Sequence, residues 1–220
     1  MDITIDSTHT IYDLVGYQYD QASVDPEGGR IEFFGTINSD ASIYSDLLEG
    51  IIILGGYDAD SITISPEVSL VRTTVLSGAG EDTIELSDIL PISSSHGEST
   101  DTIDLDGQGG TDAFIINLSG TSNDRINVSD SGAANDGVDW LEINGTANDD
   151  TFLLRKYYVA LINYGVDNDL DGYDDVERIN YGDSINGRLI VNAYDGDDSF
   201  TVDDNSSITT LDGGQGNDFF

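Results

Sequence analysis

Aspartates in one recurring setting carry most of the chemistry this chain can do. Asp60, Asp82, Asp101, Asp112, Asp124, Asp150, Asp198 and Asp218 each follow a turn of small residues and stand two positions before an Ile or a Phe. A carboxylate on a short stem beside a glycine-rich turn offers two kinds of oxygen, its own and the carbonyls of the turn. That is the donor set of a hard cation such as Ca2+. Composition agrees: the chain holds 34 Asp but 9 Glu, and 43 acids against 7 Lys and Arg, for a net charge of −36. An acidic surface built for solubility alone could use either carboxylate, and a helical protein would favour Glu. A second acidic constellation lies between Asp150 and Asp198. Residues 167–177 read Asp-Asn-Asp-Leu-Asp-Gly-Tyr-Asp-Asp-Val-Glu, a D-x-D-x-D-G start in which alternate carboxylates converge and the glycine makes the sharp turn. The ligands expected there are Asp167, Asp169, Asp171 and Asp175, with a backbone carbonyl from Tyr173 and Glu177 as a further candidate. An acidic loop arising by chance in so acidic a chain is the alternative.

Short strands must position these aspartates. After the turns, apolar residues alternate with polar ones: Ile62 and Ile64, Ile84 and Leu86, Ile103 and Leu105, Ile126 and Val128, Phe200 and Val202. A period of two marks a half-buried strand. Apolar runs also precede turns, at 51–54, 74–76, 141–143, 189–191 and 208–211, and no amphipathic helix longer than two turns is evident. Strand, Gly/Asp turn, strand is the coil of a solenoid, whose flat faces stay bare until a neighbour stacks on them. The aspartates are spaced 22, 19, 11, 12, 26, 48 and 20 residues apart. Intervals near twenty correspond to one coil, and 11 with 12 makes one coil with a turn on both edges. The expected fold is all-β, a parallel β-solenoid (β-roll or β-helix) over 51–220, with an insertion around 155–187. Residues 1–50 read as an irregular N-terminal cap or the edge of a preceding module. One turn per coil outside 101–124 predicts a single ladder of aspartates along one edge, and Trp140, in a strand, is expected in the core. Stacking at ~4.8 Å brings the carboxylates of a ladder together. Such a row either shares cations or is a set of solvated corners.

The turns resemble the nonapeptide of RTX proteins, the hemolysin-type calcium-binding repeats with pattern G-G-x-G-x-D-x-U-x. Residues Gly213-Gly214-Gln215-Gly216-Asn217-Asp218-Phe219-Phe220 meet every fixed position. The copies ending at Ile62, Ile84, Phe114, Ile126, Phe152 and Phe200 keep the Asp and the apolar residue but lose one or more glycines. The resemblance implies a parallel β-roll with calcium between stacked turns, held by sixth-position carboxylates and turn carbonyls. The ligands it implies are Asp60, Asp82, Asp112, Asp124, Asp150, Asp198 and Asp218. RTX blocks place a turn on both edges every ~18 residues, which only Asp101, Asp112 and Asp124 approach here. The chain is therefore more similar to the degenerate calcium-repeat segments of very large bacterial surface proteins. The 167–177 loop resembles thrombospondin type 3 and EF-hand-like calcium loops, although Arg178 stands where an EF-hand has its bidentate Glu.

Several classes of function are excluded. A net charge of −36 leaves no basic surface for nucleic acid. No run of ~18 apolar residues predicts a membrane helix. Without Cys there is no disulfide framework and no thiol chemistry. The first twenty residues lack a basic-then-apolar leader, and the chain stops inside a repeat, which together predict a segment of a longer protein. The seven basic residues and His9 and His96 form no cluster in the repeat register, so no enzyme is expected. The expected function is a calcium-binding structural or adhesive repeat segment of a large secreted or cell-surface bacterial protein that folds on binding calcium. Its partners would be calcium, neighbouring repeats and an extracellular glycan. The alternatives are a calcium-dependent glycan-binding or self-associating module, using tyrosines 157, 158, 164, 173 and 181, and the scaffold of a secreted polysaccharide-modifying enzyme.

Overall fold

β-branched and aromatic residues at every second position, cut off by Gly and Asp, favour short strands over any other element. The structure, a computed structural model, describes residues 3–6, 21–25, 30–34, 41–44, 50–64, 72–87, 102–133, 136–167, 172–205 and 207–220, and their regular structure is all β. In chain order the strands begin with β1 (Ile3–Asp6), β2 (Gln21–Asp25), β3 (Arg30–Phe34), β4 (Ala41–Tyr44), β5 (Gly50–Gly56) and β6 (Ser61–Ile64). Next come β7 (Arg72–Gly80), β8 (Thr83–Leu86), β9 (Thr102–Asp106), β10 (Gly109–Gly110), β11 (Ala113–Asn117), β12 (Arg125–Ser129) and β13 (Trp140–Asn144). The last are β14 (Thr151–Arg155), β15 (Tyr158–Asn163), β16 (Asp175–Tyr181), β17 (Arg188–Asn192), β18 (Ser199–Val202) and β19 (Ile208–Asp212).

Two sheets hold nearly all of them. The first runs β18-β14-β15-β16-β12-β9-β7-β5-β3-β2, with β10 beside β7, and the second runs β19-β17-β13-β11-β8-β6. The strands β1 and β4 form a separate parallel pair. Apart from the two-residue β10, the chain alternates between the sheets from β5 to β13, and it does so again from β16 to β19. The neighbours it brings together in this way are parallel. Passages from first to second sheet therefore collect at one edge, and return passages at the other. Between them the chain doubles back: β14 and β16 both flank β15 antiparallel, while β16 lies parallel to β12 and β14 parallel to β18.

Parallel register lines up like residues. Ile62, Ile84, Phe114, Leu141 and Leu189 form one column, and Ile64, Leu86, Ile116, Ile143 and Val191 the next. None of these ten is more than 1% exposed. They face Ile53, Val75, Leu105 and Val128, aligned in the first sheet and part of the same buried cluster. A slip of one residue would turn a whole column to solvent, so this pattern fixes the register. Two corrections follow. Trp140 is not core: it shares the half-buried outer side of β13 with Glu142, opposite Leu141 and Ile143. Val202 is 51% exposed, because β18 ends its sheet. On the outer faces, amides form ladders. Asn192 donates to Asn144 (2.8 Å), Asn144 to Asn117 (2.9 Å), and Asn117 to Ser87 (2.9 Å) and Glu85 (3.2 Å). On the first sheet Asn180 donates to Asn127 (2.8 Å) and Asn127 to Asp104 (2.7 Å).

The turns stack backbone on backbone. A Cβ on Gly110 (φ +132°) would lie 1.5 Å from the carbonyl oxygen of Gly80, whereas one on Gly165 (φ +79°) would meet nothing within 4 Å. Both positions are strained for an L-residue, but only Gly110 is also sterically closed. Gly165→Ala is expected to cost about 1 kcal/mol and Gly110→Ala about 3 kcal/mol or more in denaturant unfolding. Equal costs would mean that the turns are not stacked this closely.

Candidate functional site

On the first edge, Asp82, Asp112 and Asp139 each offer a side chain to the backbone of the preceding turn. The Asp60 N–H donates to Asp82 Oδ1 at 2.7 Å, the Asp82 N–H to Asp112 Oδ1 at 2.9 Å, and the Asp112 N–H to Asp139 Oδ1 at 2.9 Å. The Asp139 N–H donates to the Asn186 side-chain oxygen at 3.1 Å, so an amide closes the row. The carboxylates are not solvated corners: Asp60 is 6% exposed, Asp82 1%, Asp112 0% and Asp139 0%. The small residue five positions earlier lets the carboxylate fold back over the turn. A Cβ on Gly107 would lie 2.4 Å from Asp112 Oδ2, and one on Gly55 2.9 Å from Asp60 Oδ2. At Asp60 this second oxygen accepts the Gly56 N–H at 2.9 Å. In Asp82, Asp112 and Asp139 it is buried with no donor. The nearby Ser77 hydroxyl sends its proton to the Gly107 carbonyl instead, at 2.8 Å.

The opposite edge carries a second row rather than none, so the aspartates form ladders on both edges and not on one. The Asp150 N–H donates to Asp198 Oδ1 at 2.8 Å and the Asp198 N–H to Asp218 Oδ1 at 3.2 Å. Asp150 accepts both the N–H (2.7 Å) and the hydroxyl (2.9 Å) of Thr146, while Asp198 Oδ2 is buried without a donor. Asp218, in the last turn, is only partly buried. Asp124, buried on the same edge, is separated from this row where β15 and β16 intervene. There Glu177, itself buried, accepts from the Ser119 and Ser122 hydroxyls and from the N–H groups of Ser119 and Gly120, both 3.1 Å. A cleft of about 190 Å³ opens beside it, lined by Gly120, Thr146, Asp149, Asp150, Asn163 and Tyr164 among others.

Of the 167–177 set, Asp169 and Asp171 lie outside the described residues, as does Asp101 of the repeats. Asp167 Oδ2 accepts the Gly172 N–H at 3.1 Å, and its Oδ1 is buried without a donor. Tyr173 is exposed. Asp175 and Glu177 are buried in β16, on the side shared with Ile179 and Tyr181. Glu177 thus meets the turn at 119–122, while Asp167 stays with the hairpin tip. Of the tyrosines, Tyr181 is buried, Tyr158 lies under the Arg178 guanidinium at 4.1 Å, and Tyr164 and Tyr173 are exposed.

Asp139 escaped the sequence pattern. The Asp-x-apolar signature is present, but its apolar residue is Leu141 rather than an Ile or Phe. Admitting Leu beside Ile and Phe would have found it. Asn186 left no such signal, because an amide there does the work of the acid.

Electrostatics sets these rows apart from ordinary surface acids. Burial pushes Asp112 up to about 7, with the Asp82, Asp139 and Asp130 charges adding to the effect. Burial likewise pushes Asp139 and Asp150 to about 6, and raises Asp82 and Asp198. Leaving one buried acceptor unpaired costs about 1–3 kcal/mol, more if it is charged. Several in a row rival the whole stability of a typical domain, ~5–15 kcal/mol. Among the described residues no three acids converge as a group that could hold a metal ion.

In chelator, these acids should bind more protons folded than unfolded, since their folded values lie above the ordinary 3.8. Their contribution is then full below that value and lost as pH rises through about 6 and about 7. The thermal midpoint of metal-stripped protein should therefore fall between about pH 5 and about pH 7.5, where surface acids are already ionised. A midpoint that rose over this range would show that the rows are ionised and satisfied without help. No protein-family model, curated protein or solved structure matches the chain.

Proposed function

We propose that residues 51–220 form a parallel β-solenoid stabilised by calcium, acting as a structural or adhesive repeat segment of a large secreted or cell-surface bacterial protein. The observation that carries this reading is the run of buried carboxylate oxygens without donors, at Asp82, Asp112, Asp139 and Asp198, each beside stacked turn backbone. These acceptors fit a hard cation. Bound calcium would supply the positive charge that lets successive turns stack without mutual repulsion.

The chain's own residues do the rest. The Asp N–H groups set the spacing of the rows, the glycines admit the carboxylates, and the apolar columns close the sheets on each other. Where calcium is scarce, the charge of −36 favours an expanded chain. Where calcium is plentiful, folding and metal binding become one equilibrium. Such a stack is a rigid spacer, and this role requires no catalysis.

Far-UV circular dichroism of metal-stripped protein during a calcium titration tests the reading, with magnesium as control. A cooperative gain of β signal and a higher thermal midpoint with calcium alone are expected. In the Asp82→Asn/Asp112→Asn double variant that gain should shrink, while its stability in chelator should exceed that of the parent. Full β signal in chelator, with no heat on adding calcium, would end the proposal.

A further inference from the structure

Two arginines share a register position on the outer face of the first sheet. Arg125 of β12 pairs with Arg178 of β16 in a parallel ladder, while the buried Ile126 and Ile179 that follow them point inward. Neighbouring strands lie ~4.8 Å apart, so two positive charges stand side by side. Like charges set opposite each other on a sheet are destabilising. In a chain with 43 acids, partners for them are not scarce. Arg155 has two, Asp203 at 3.0 Å and Asp204 at 3.1 Å. Arg178 instead lies over the Tyr158 ring at 4.1 Å and donates from Nε to the Asn180 side-chain oxygen at 2.7 Å. These two contacts fix the plane of its guanidinium and leave both Nη groups without an acceptor among the described residues. Arg125 is exposed, and its guanidinium has no hydrogen bond or ion pair among them either. Its register partner on the other side is Thr102, and Asp104, two residues on, is taken by Asn127 at 2.7 Å.

We propose that Arg125 and Arg178 form a carboxylate-binding site whose ligand is an acidic polysaccharide. One carboxylate has an oxygen for each guanidinium and would discharge the pair. The planar fork of Arg178, already held in place, suits two parallel N–H···O bonds. The surroundings favour a hydroxylated chain. Thr102 stands beside Arg125 in register, and Asn127 and Asn180 lie two residues on from the arginines along β12 and β16. Val176, 36% exposed and two residues before Arg178, is open to the C–H face of a sugar ring. A second copy of this chain would bring another charge of −36 to the contact. Charges beyond ~8 Å are largely screened at physiological ionic strength, so the arginines set the local field rather than the distant aspartates. The site rests on the adhesive reading of the segment, to which it gives a partner, but it needs no calcium in the turns.

Titration calorimetry of the full chain tests this, with calcium present throughout and a galacturonate tetrasaccharide as the probe. Binding is expected with that probe and not with a neutral galactose tetrasaccharide. Arg125→Gln and Arg178→Lys should each weaken it roughly tenfold or more, although Lys keeps the charge. Arg125→Glu should abolish binding with a thermal midpoint no lower than the parent's, because the new carboxylate faces Arg178. A clear fall in that midpoint would show that Arg125 serves the fold and overturn the site. Equal affinity in parent and variants would overturn it too, and place the sugar on bound calcium. Tighter binding of a sulfated tetrasaccharide would overturn the choice of carboxylate. Self-association that Arg125→Gln abolishes, without sugar binding, would give the face to a second copy instead. A calcium-raised midpoint with no sugar bound would end the site and leave the repeat reading standing. Sugar binding lost in the variants, without any calcium effect on the midpoint, would sustain the site and sink the calcium reading.

Discussion

Everything in this structure depends on one hydrogen bond repeated from turn to turn: a backbone N–H of one aspartate donated to the carboxylate of the next. That bond draws the carboxylate inward, away from water, and ties the spacing of side chains to the spacing of strands. The rest of the chain accommodates it. Glycine, serine or alanine stands where the folded-back carboxylate needs room, and the apolar columns take up the register that the turns impose. Satisfying one carboxylate oxygen in this way leaves the other stranded, so the same contact that organises the stack also creates its electrostatic problem.

Two rows share that problem: one, closed by Asn186, follows the edge where the chain leaves the first sheet, and the other, from Asp150 to Asp218, follows the edge where it returns. The doubling back of β14, β15 and β16 separates Asp124 from the second. At the division, Glu177 fills the turn at 119–122 with hydrogen bonds that a stacked neighbour would otherwise supply. An acid here does for one turn what the next aspartate does for the others.

Much of this was legible in the residues. Strands such as β6, β8 and β12 follow from strict alternation beside Gly and Asp, and aspartates 60, 82, 112, 150 and 198 announce the rows by their constant offset from an apolar residue. What stayed hidden has physical reasons. The side of the stack on which a turn falls depends on how many strands intervene, and the octets are alike on both edges. Trp140 looks like core because it is large and sits in a strand, yet parity places it with Glu142 rather than with Leu141. Glu177 sits within an acidic loop in sequence but within β16 in space, where alternation points it inward. Asn186 shows that an amide can end a row of acids without leaving a motif.

The amide ladders on the outer faces add a direction to the stack. In each, the later strand donates and the earlier accepts, and the series ends on an acid: Asn180 and Asn127 on Asp104, and Asn192, Asn144 and Asn117 on Glu85. A chain of amides terminated by an anion is polarised along its length, each dipole strengthening the next. The layers are therefore not interchangeable bricks. Exchanging the terminal acid with an amide layer would leave a carboxylate with no proton to pass on within the ladder, so the place of that layer is written on the surface as well as in the core.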